Sequence, residues 1–195
     1  MMYLFSLIIS YLLGSIPFGI LVTKLFNKGD LRKVGSGNIG ATNVMRVGGL
    51  RLAGLVWILD MVKAIIAVLL GGYLVGGVFS IWCGFAAIIG HCFPIWLKFR
   101  GGKGVSALFG ILLAENPLWF VIFGIEWLVV ALTSGYSSLG ALIMFLSMPI
   151  FGFFIGTDVG WALSAIAVLC LVRHRENIVR LVRGKESKID WKWKK

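Results

Sequence analysis

Apolar residues run along this chain in long unbroken blocks. They do not alternate, and they do not recur on one helical face. The first block covers residues 2–22 and ends just before Lys24. Blocks of about 20 apolar residues match the thickness of a bilayer's hydrocarbon core when helical. Two more fit between Arg51 and Lys98, at 52–74 and 78–97, with Gly76 and Gly77 in the turn between them. From Gly104 to Val172 there is no Lys or Arg, and three breaks divide the stretch: Glu115-Asn116-Pro117, Thr133-Ser134-Gly135 and Gly156-Thr157-Asp158. Pro117 suits a first helical turn and Asp158 suits an N-cap. The resulting spans are 103–115, 117–133, 138–156 and 158–172, with Pro149 expected to kink the sixth helix. The apolar core of the span after Lys103, residues 105–114, rises only about 15 Å. It must recruit flanking residues, tilt little or thin the bilayer. The pattern predicts an all-α integral membrane protein: a single membrane domain over 1–195, with seven transmembrane helices and a basic tail at 173–195.

Composition agrees, with 59% of residues apolar and 14% charged. A water-soluble globule is roughly 45–50% apolar and about 25% charged, and a disordered chain is less apolar still. No Lys or Arg precedes the first block, so the basic start of a signal peptide is missing and the block reads as a retained helix. Cys83, Cys92 and Cys170 lie in apolar stretches without metal-ligand spacing and read as small packing residues.

The net charge of +11 would suggest nucleic acid in a soluble protein. Here the cations cluster at 24–51, at 98–103 and in the tail, and Lys63 stands alone inside an apolar block. The positive-inside rule puts the three clusters in the cytoplasm, the N-terminus outside and the C-terminus inside, and it makes lipid the partner and not nucleic acid. Trp191 and Trp193 among lysines read as interfacial anchors. Within the membrane, Asp60 and Lys63 are spaced i,i+3 and can neutralise each other, whereas Glu126 has no partner nearby in sequence.

Three polar segments share the cytoplasmic face. The first is Gly35-Ser36-Gly37-Asn38-Ile39-Gly40-Ala41-Thr42-Asn43-Val44-Met45-Arg46. It matches G-x-G-x-x-G formally, but it follows a charged loop and not a strand, so a dinucleotide fold is rejected. It also resembles a P-loop, except that Ala41 stands where the lysine should be. Glycines still allow backbone N–H groups to converge on a phosphate, and Arg46 adds a planar bidentate donor. The second segment runs from His91 to Ser106 and packs Gly101, Gly102 and Gly104 around Lys103, where a helix begins. Helix N-termini favour anions. The third, in the tail, places Arg173, Asn177 and Arg180 on one helical stripe beside His174. The bland alternatives are flexible turns and positive-inside anchors.

Glycine-rich anion loops beside apolar helices suggest phosphorylated ligands, at least one with a lipid tail. The H-x4-D pattern of thioester-using glycerolipid acyltransferases is absent, as is G-x-S-x-G. No metal-type cluster occurs, and nothing calls for a cofactor. A reaction with an already activated donor fits this poverty of catalytic groups.

At these residues the chain closely resembles the PlsY family, the acyl-phosphate:glycerol-3-phosphate acyltransferases of bacteria. The resemblance runs through Tyr11-Leu12-Leu13-Gly14-Ser15-Ile16-Pro17-Phe18-Gly19, Gly35–Arg46 and Asp60-x-x-Lys63. It continues through Gly90-His91-Cys92-Phe93-Pro94, Gly101–Val105, and Arg173-His174-x-x-Asn177-Ile178-x-Arg180-Leu181-x-x-Gly184. Family members often show two serines three apart near the fifth-to-sixth turn; here Ser138 matches the first and Ala141 occupies the second. The resemblance implies acyl transfer from acyl phosphate to the 1-hydroxyl of sn-glycerol 3-phosphate at the inner membrane. It implies Ser36, Arg46, Lys103, His91 and His174 as catalytic candidates. Gly35, Gly37, Asn38, Gly40, Thr42, Asn43, Gly101, Gly102, Gly104, Ser106, Ser138, Asn177 and Arg180 would bind substrate, and Asp60, Lys63 and Glu186 would be structural. Which loop holds which phosphate stays open, as does the proton acceptor among His91, His174 and a substrate phosphate. The rival class is a small-anion or sugar-phosphate transporter, which would place its site at the midplane of repeated halves.

Overall fold

The computed structural model describes residues 1–189; Trp191 and Trp193 lie outside the described residues. All regular structure among the described residues is helical. The described chain forms two compact units, one over Met1–Pro117 and the other from Leu118 onward.

In the first unit, α1 covers Met2–Gly14 and α2 covers Phe18–Leu25. The apolar block at 2–22 is therefore two helices and not one. Pro17 lacks an N–H and disfavours helical geometry at Ile16, so the ladder stops there. A 3-10 turn at Leu31–Lys33 follows, capped by the Asp30 carboxylate, which accepts from Arg32 N. The Arg32 side chain also donates to that carboxylate and holds its pKa down at about 2.

Helix α3 spans Ala41–Leu74, beginning well before the expected residue 52, and is interrupted at Gly49 (φ +79°). The first polar loop therefore ends at Gly40, and Thr42, Asn43 and Arg46 are helical residues. Helix α4 covers Phe79–Cys92, a 3-10 turn covers Ile95–Leu97, and α5 covers Val105–Glu115. Small residues let these helices approach closely, as in other membrane bundles. A Cβ on Gly14 would collide with the Ala87 backbone, one on Gly90 with the Tyr11 carbonyl, and one on Gly110 with the Met61 carbonyl. Near the loop side, Val22, Leu31, Val44, Leu52, Ala53 and Val56 close a core among α2, the first 3-10 turn and α3.

In the second unit, α6 covers Pro117–Ser134, α7 Ser137–Ile155, α8 Thr157–Arg173 and α9 Arg175–Val182. Pro117 opens α6 as expected. The N-cap of α8 is Gly156, so Asp158 lies inside the first turn and not at the cap. Helix α7 passes through Pro149 as one helix. Glu126 gains a partner from the next helix, for Ser147 Oγ donates to its Oε2 at 2.8 Å. Glycines 152 and 160 meet where α7 packs on α8.

Five segments are long and apolar enough to cross a membrane: Met2–Leu25, Ala41–Leu74, Phe79–Leu97, Pro117–Ser134 and Ser137–Ile155. A sixth results if α8 and α9, bent by 59°, form one span. Helix α5 is apolar but has only 11 residues. Cys83, Cys92 and Cys170 are buried free thiols.

Candidate active site

The Gly35–Gly40 loop is organised from below by one side chain. Asn43 is 1% exposed. Its Oδ1 accepts from Ser36 N at 3.0 Å, and its Nδ2 lies 3.1, 3.0 and 2.8 Å from the carbonyls of Leu31, Val34 and Asn38. Gly35 (φ +61°) and Gly37 (φ +70°) adopt left-handed conformations, and a Cβ at Gly35 would strike Asn43 Oδ1. Both ends of the Asn43 amide are occupied inside the loop. Asn38 Oδ1 likewise accepts from Ile39 N at 3.0 Å. Ser36 and Arg46 are exposed, and the Arg46 stem lies 3.6 Å from where a Gly35 Cβ would be. Thr42 follows Gly40, the α3 N-cap, in the first turn.

The second loop folds back on the end of α4. Gly101 N donates to Cys92 O at 3.1 Å, and Gly102 N to His91 O at 3.0 Å. A Cβ on Gly102 would enter the His91 ring. Both amides are thus engaged with the end of α4, and the smallness of the two glycines permits the close approach that leads into Lys103. Gly104 (φ +89°) caps α5, whose second residue is the buried Ser106.

His91 is 4% exposed, and its Nδ1 lies 3.1 Å from Lys63 Nζ. Lys63 also reaches Asp60 Oδ1 at 2.7 Å and donates to Ile16 O at 2.8 Å. The same Nδ1 lies 3.6 Å from Asp60 Oδ1, so the His91 ring is held in one buried cluster with Lys63 and Asp60. No local signal shows this link, because Ile16, Lys63 and His91 belong to different elements. A further partly buried contact, Tyr11 OH donating to Phe93 O at 2.8 Å, likewise has no local signal.

In the second unit, Glu186 is the hub. Its Oε1 accepts from Ser138 Oγ at 2.9 Å and Asn177 Nδ2 at 2.6 Å, and its Oε2 from Arg180 Nε at 2.6 Å. Burial alone would raise its pKa, but the hydrogen bonds from Arg180, Asn177 and Ser138 outweigh that and hold it below the ordinary glutamate value. The Ser138 hydroxyl is thereby engaged with Glu186. His174 sits at the α8–α9 junction, 3% exposed, with Nδ1 2.7 Å from Cys170 O and its ring edge-on to Phe145. A carbonyl only accepts, so Nδ1 carries a proton and donates to it. Ser36, Arg46, Lys103, His91, Asp60 and Lys63 thus belong to the first unit, and Ser138, His174, Asn177, Arg180 and Glu186 to the second. Among the described residues no cluster of His, Cys, Asp or Glu suits a metal ion.

A family model described as glycerol-3-phosphate acyltransferase matches residues 4–184. A glycerol-3-phosphate acyltransferase of Rhizobium etli is 48% identical over 183 residues, covering 93% of this chain and 89% of the relative. One of Agrobacterium fabrum is 45% identical over 186 residues, covering 95% and 91%. Among solved structures, the glycerol 3-phosphate form of PlsY, an integral membrane glycerol 3-phosphate acyltransferase, superposes with a TM-score of 0.91 at 38% identity, covering 96% of each chain. Its lysophosphatidic acid form gives 0.89 at 36% identity, covering 96% of this chain and 95% of that one.

Proposed function

The chain belongs to the glycerol-3-phosphate acyltransferase family, and from that premise and the site's chemistry we infer that it is a membrane enzyme moving a fatty acyl group from acyl phosphate to the 1-hydroxyl of sn-glycerol 3-phosphate. The hydroxyl oxygen attacks the acyl carbonyl carbon, an ester C–O bond forms, and the C–O bond to phosphate breaks. Phosphate leaves with the electron pair, and the products are 1-acylglycerol 3-phosphate and inorganic phosphate. This is the first acylation of phospholipid synthesis.

An acyl phosphate is a mixed anhydride with a good leaving group, so the protein's task is to gather two anions, orient the hydroxyl and stabilise the oxyanion. In the first unit Ser36, Asn38, Thr42 and the α3 N-terminus take a phosphate, with Asn43 shaping the loop and Arg46 and Lys103 supplying charge. In the second unit His174, Asn177 and Arg180 offer anion-binding groups, and Glu186 orients Asn177 and Arg180. His91 is held by Lys63, so the hydroxyl proton goes to His174 or to a substrate phosphate. A pH–rate profile that loses its acidic limb in His174→Gln assigns it to His174.

Seven crossings, with α1–α2 as one broken span and α5 and α8 as the shorter ones, put the N-terminus outside and leave α9 in the cytoplasmic tail. The site then faces the cytoplasm of a bacterial inner membrane, where the donor's tail arrives sideways from lipid. The observation that carries the reading is the family match over residues 4–184, which encloses each of the proposed phosphate-holding groups. Purified protein in detergent, where transport cannot occur, is expected to form lysophosphatidate from acyl phosphate and glycerol 3-phosphate. Absence of product would overturn the reading and favour a transporter.

A further inference from the structure

One buried polar cluster reaches both glycine loops of the first unit. Lys63 and Asp60 lie within α3, 3% and 2% exposed. The Lys63 ammonium has three N–H donors, and three acceptors surround it: Asp60 Oδ1 at 2.7 Å, Ile16 O at 2.8 Å and His91 Nδ1 at 3.1 Å.

The Ile16 carbonyl sits in the break between α1 and α2, where it also accepts from Phe18 N at 3.1 Å. Helix α2 starts from that point and lies directly on the first loop. Gly19 approaches the Ile39 carbonyl too closely for any Cβ, and Val22 packs with Leu31 and Val44. Fixing Ile16 therefore fixes the platform under Gly35–Gly40. On the other side, the His91 ring fills the space beside Gly102, and the His91 carbonyl accepts from Gly102 N. Fixing that ring fixes the root of the Lys103 loop.

A pair that merely cancelled charge would need neither contact. Buried ion pairs can commonly be exchanged for apolar residues of similar volume without loss of stability. An exchanged pair here would leave Ile16 O without its ammonium and His91 Nδ1 without its donor.

We propose that Lys63, oriented by Asp60, is a positioning residue that sets the separation of the two anion-holding loops by tying the α1–α2 break to His91. His91 acts through that tie. The inference rests on the reading above, in which the two loops hold substrate phosphates. Each loop keeps its own internal bonds, so loss of the tie leaves binding at each loop and misaligns one reactant against the other. Misalignment on the scale of an ångström costs on the order of a hundredfold in rate.

The test is steady-state kinetics in detergent on Asp60→Leu/Lys63→Met, alongside His91→Asn and His91→Leu. The charge-free pair is expected to lower kcat roughly tenfold or more while both KM values stay within about threefold. His91→Asn keeps an acceptor near the Nδ1 position and is expected to retain at least about a third of the wild-type kcat, whereas His91→Leu falls with the charge-free pair. A charge-free variant at wild-type kcat, a rise in KM without loss of kcat, or His91→Asn as slow as His91→Leu would each overturn the proposal. If the charge-free variant does not fold, the two His91 variants, which keep both charges, decide the matter. Absence of product from the wild-type protein would instead overturn the acyltransferase reading itself.

Discussion

Asn43 and Lys103 carry different burdens, although both lie in polar segments that suggest anion binding. The Asn43 amide meets one N–H and three carbonyls, so it holds a loop together. Lys103 is half-buried just before the α5 N-cap, after two glycines whose amides are occupied. Lys103→Ala and Arg46→Ala are each expected to lower turnover roughly tenfold or more with little change in Tm, because in the proposed site their charge meets an anionic transition state. Asn43→Ala is expected to lower Tm as well as turnover, since buried carbonyls lose their donor at a cost of about 1–3 kcal/mol. Thermal melts and initial rates separate the two classes.

Glu186 gives a pH signature. Its pKa is depressed in the folded protein, so its stabilisation is complete above the unfolded glutamate value and is lost as pH falls through the folded one. Glu186→Gln is therefore expected to melt about 2–4 °C below wild type at neutral pH, with the gap closing as pH drops through the acid range. A gap that widened on acidification would contradict this account. The residue types at these positions were legible in the sequence, but their bonding was not. A glycine loop looks the same whether its amides face a ligand or, as at Gly101 and Gly102, the end of another helix.

At the scale of elements, apolar block length predicted most helices, because a bilayer demands about 20 apolar residues whatever the surroundings. The misses have local causes. Pro17 divides the first block, and Gly49 separates a short helical stretch after the first polar loop from the apolar length of α3. Both breaks place polar groups: Ile16 O becomes an acceptor for Lys63, and Asn43 and Arg46 gain a helical frame beneath the loop. The α1–α4 contact depends on Gly14 and Gly90, each closer to the opposing backbone than a Cβ allows. Gly14→Val is expected to destabilise by at least about 1–3 kcal/mol through overpacking, read as a lower Tm and a lower detergent-soluble yield. An unchanged melt would show that α1 and α4 separate without cost.

At the scale of the whole molecule, the charge map and the helices lead to one topological expectation. The three native thiols are buried, so single introduced cysteines should label over a low background. Lys33→Cys and Lys185→Cys are expected to react with an impermeant maleimide only from the cytoplasmic side, and Val78→Cys only from the outside. Reaction of Lys33→Cys and Lys185→Cys from opposite sides would dismantle the single-face site.

The sequence by itself determined that this is a helical membrane protein with glycine-rich and basic polar segments, and it carries the family's motifs. Those properties follow from composition over short stretches, which hydrocarbon and water judge locally. Only the tertiary structure decided which polar atoms are occupied and which groups act through others. Lys63 meets Ile16 across 47 residues and His91 across 28. A buried donor must find its acceptor wherever packing brings one, and spacing along the chain does not record that choice.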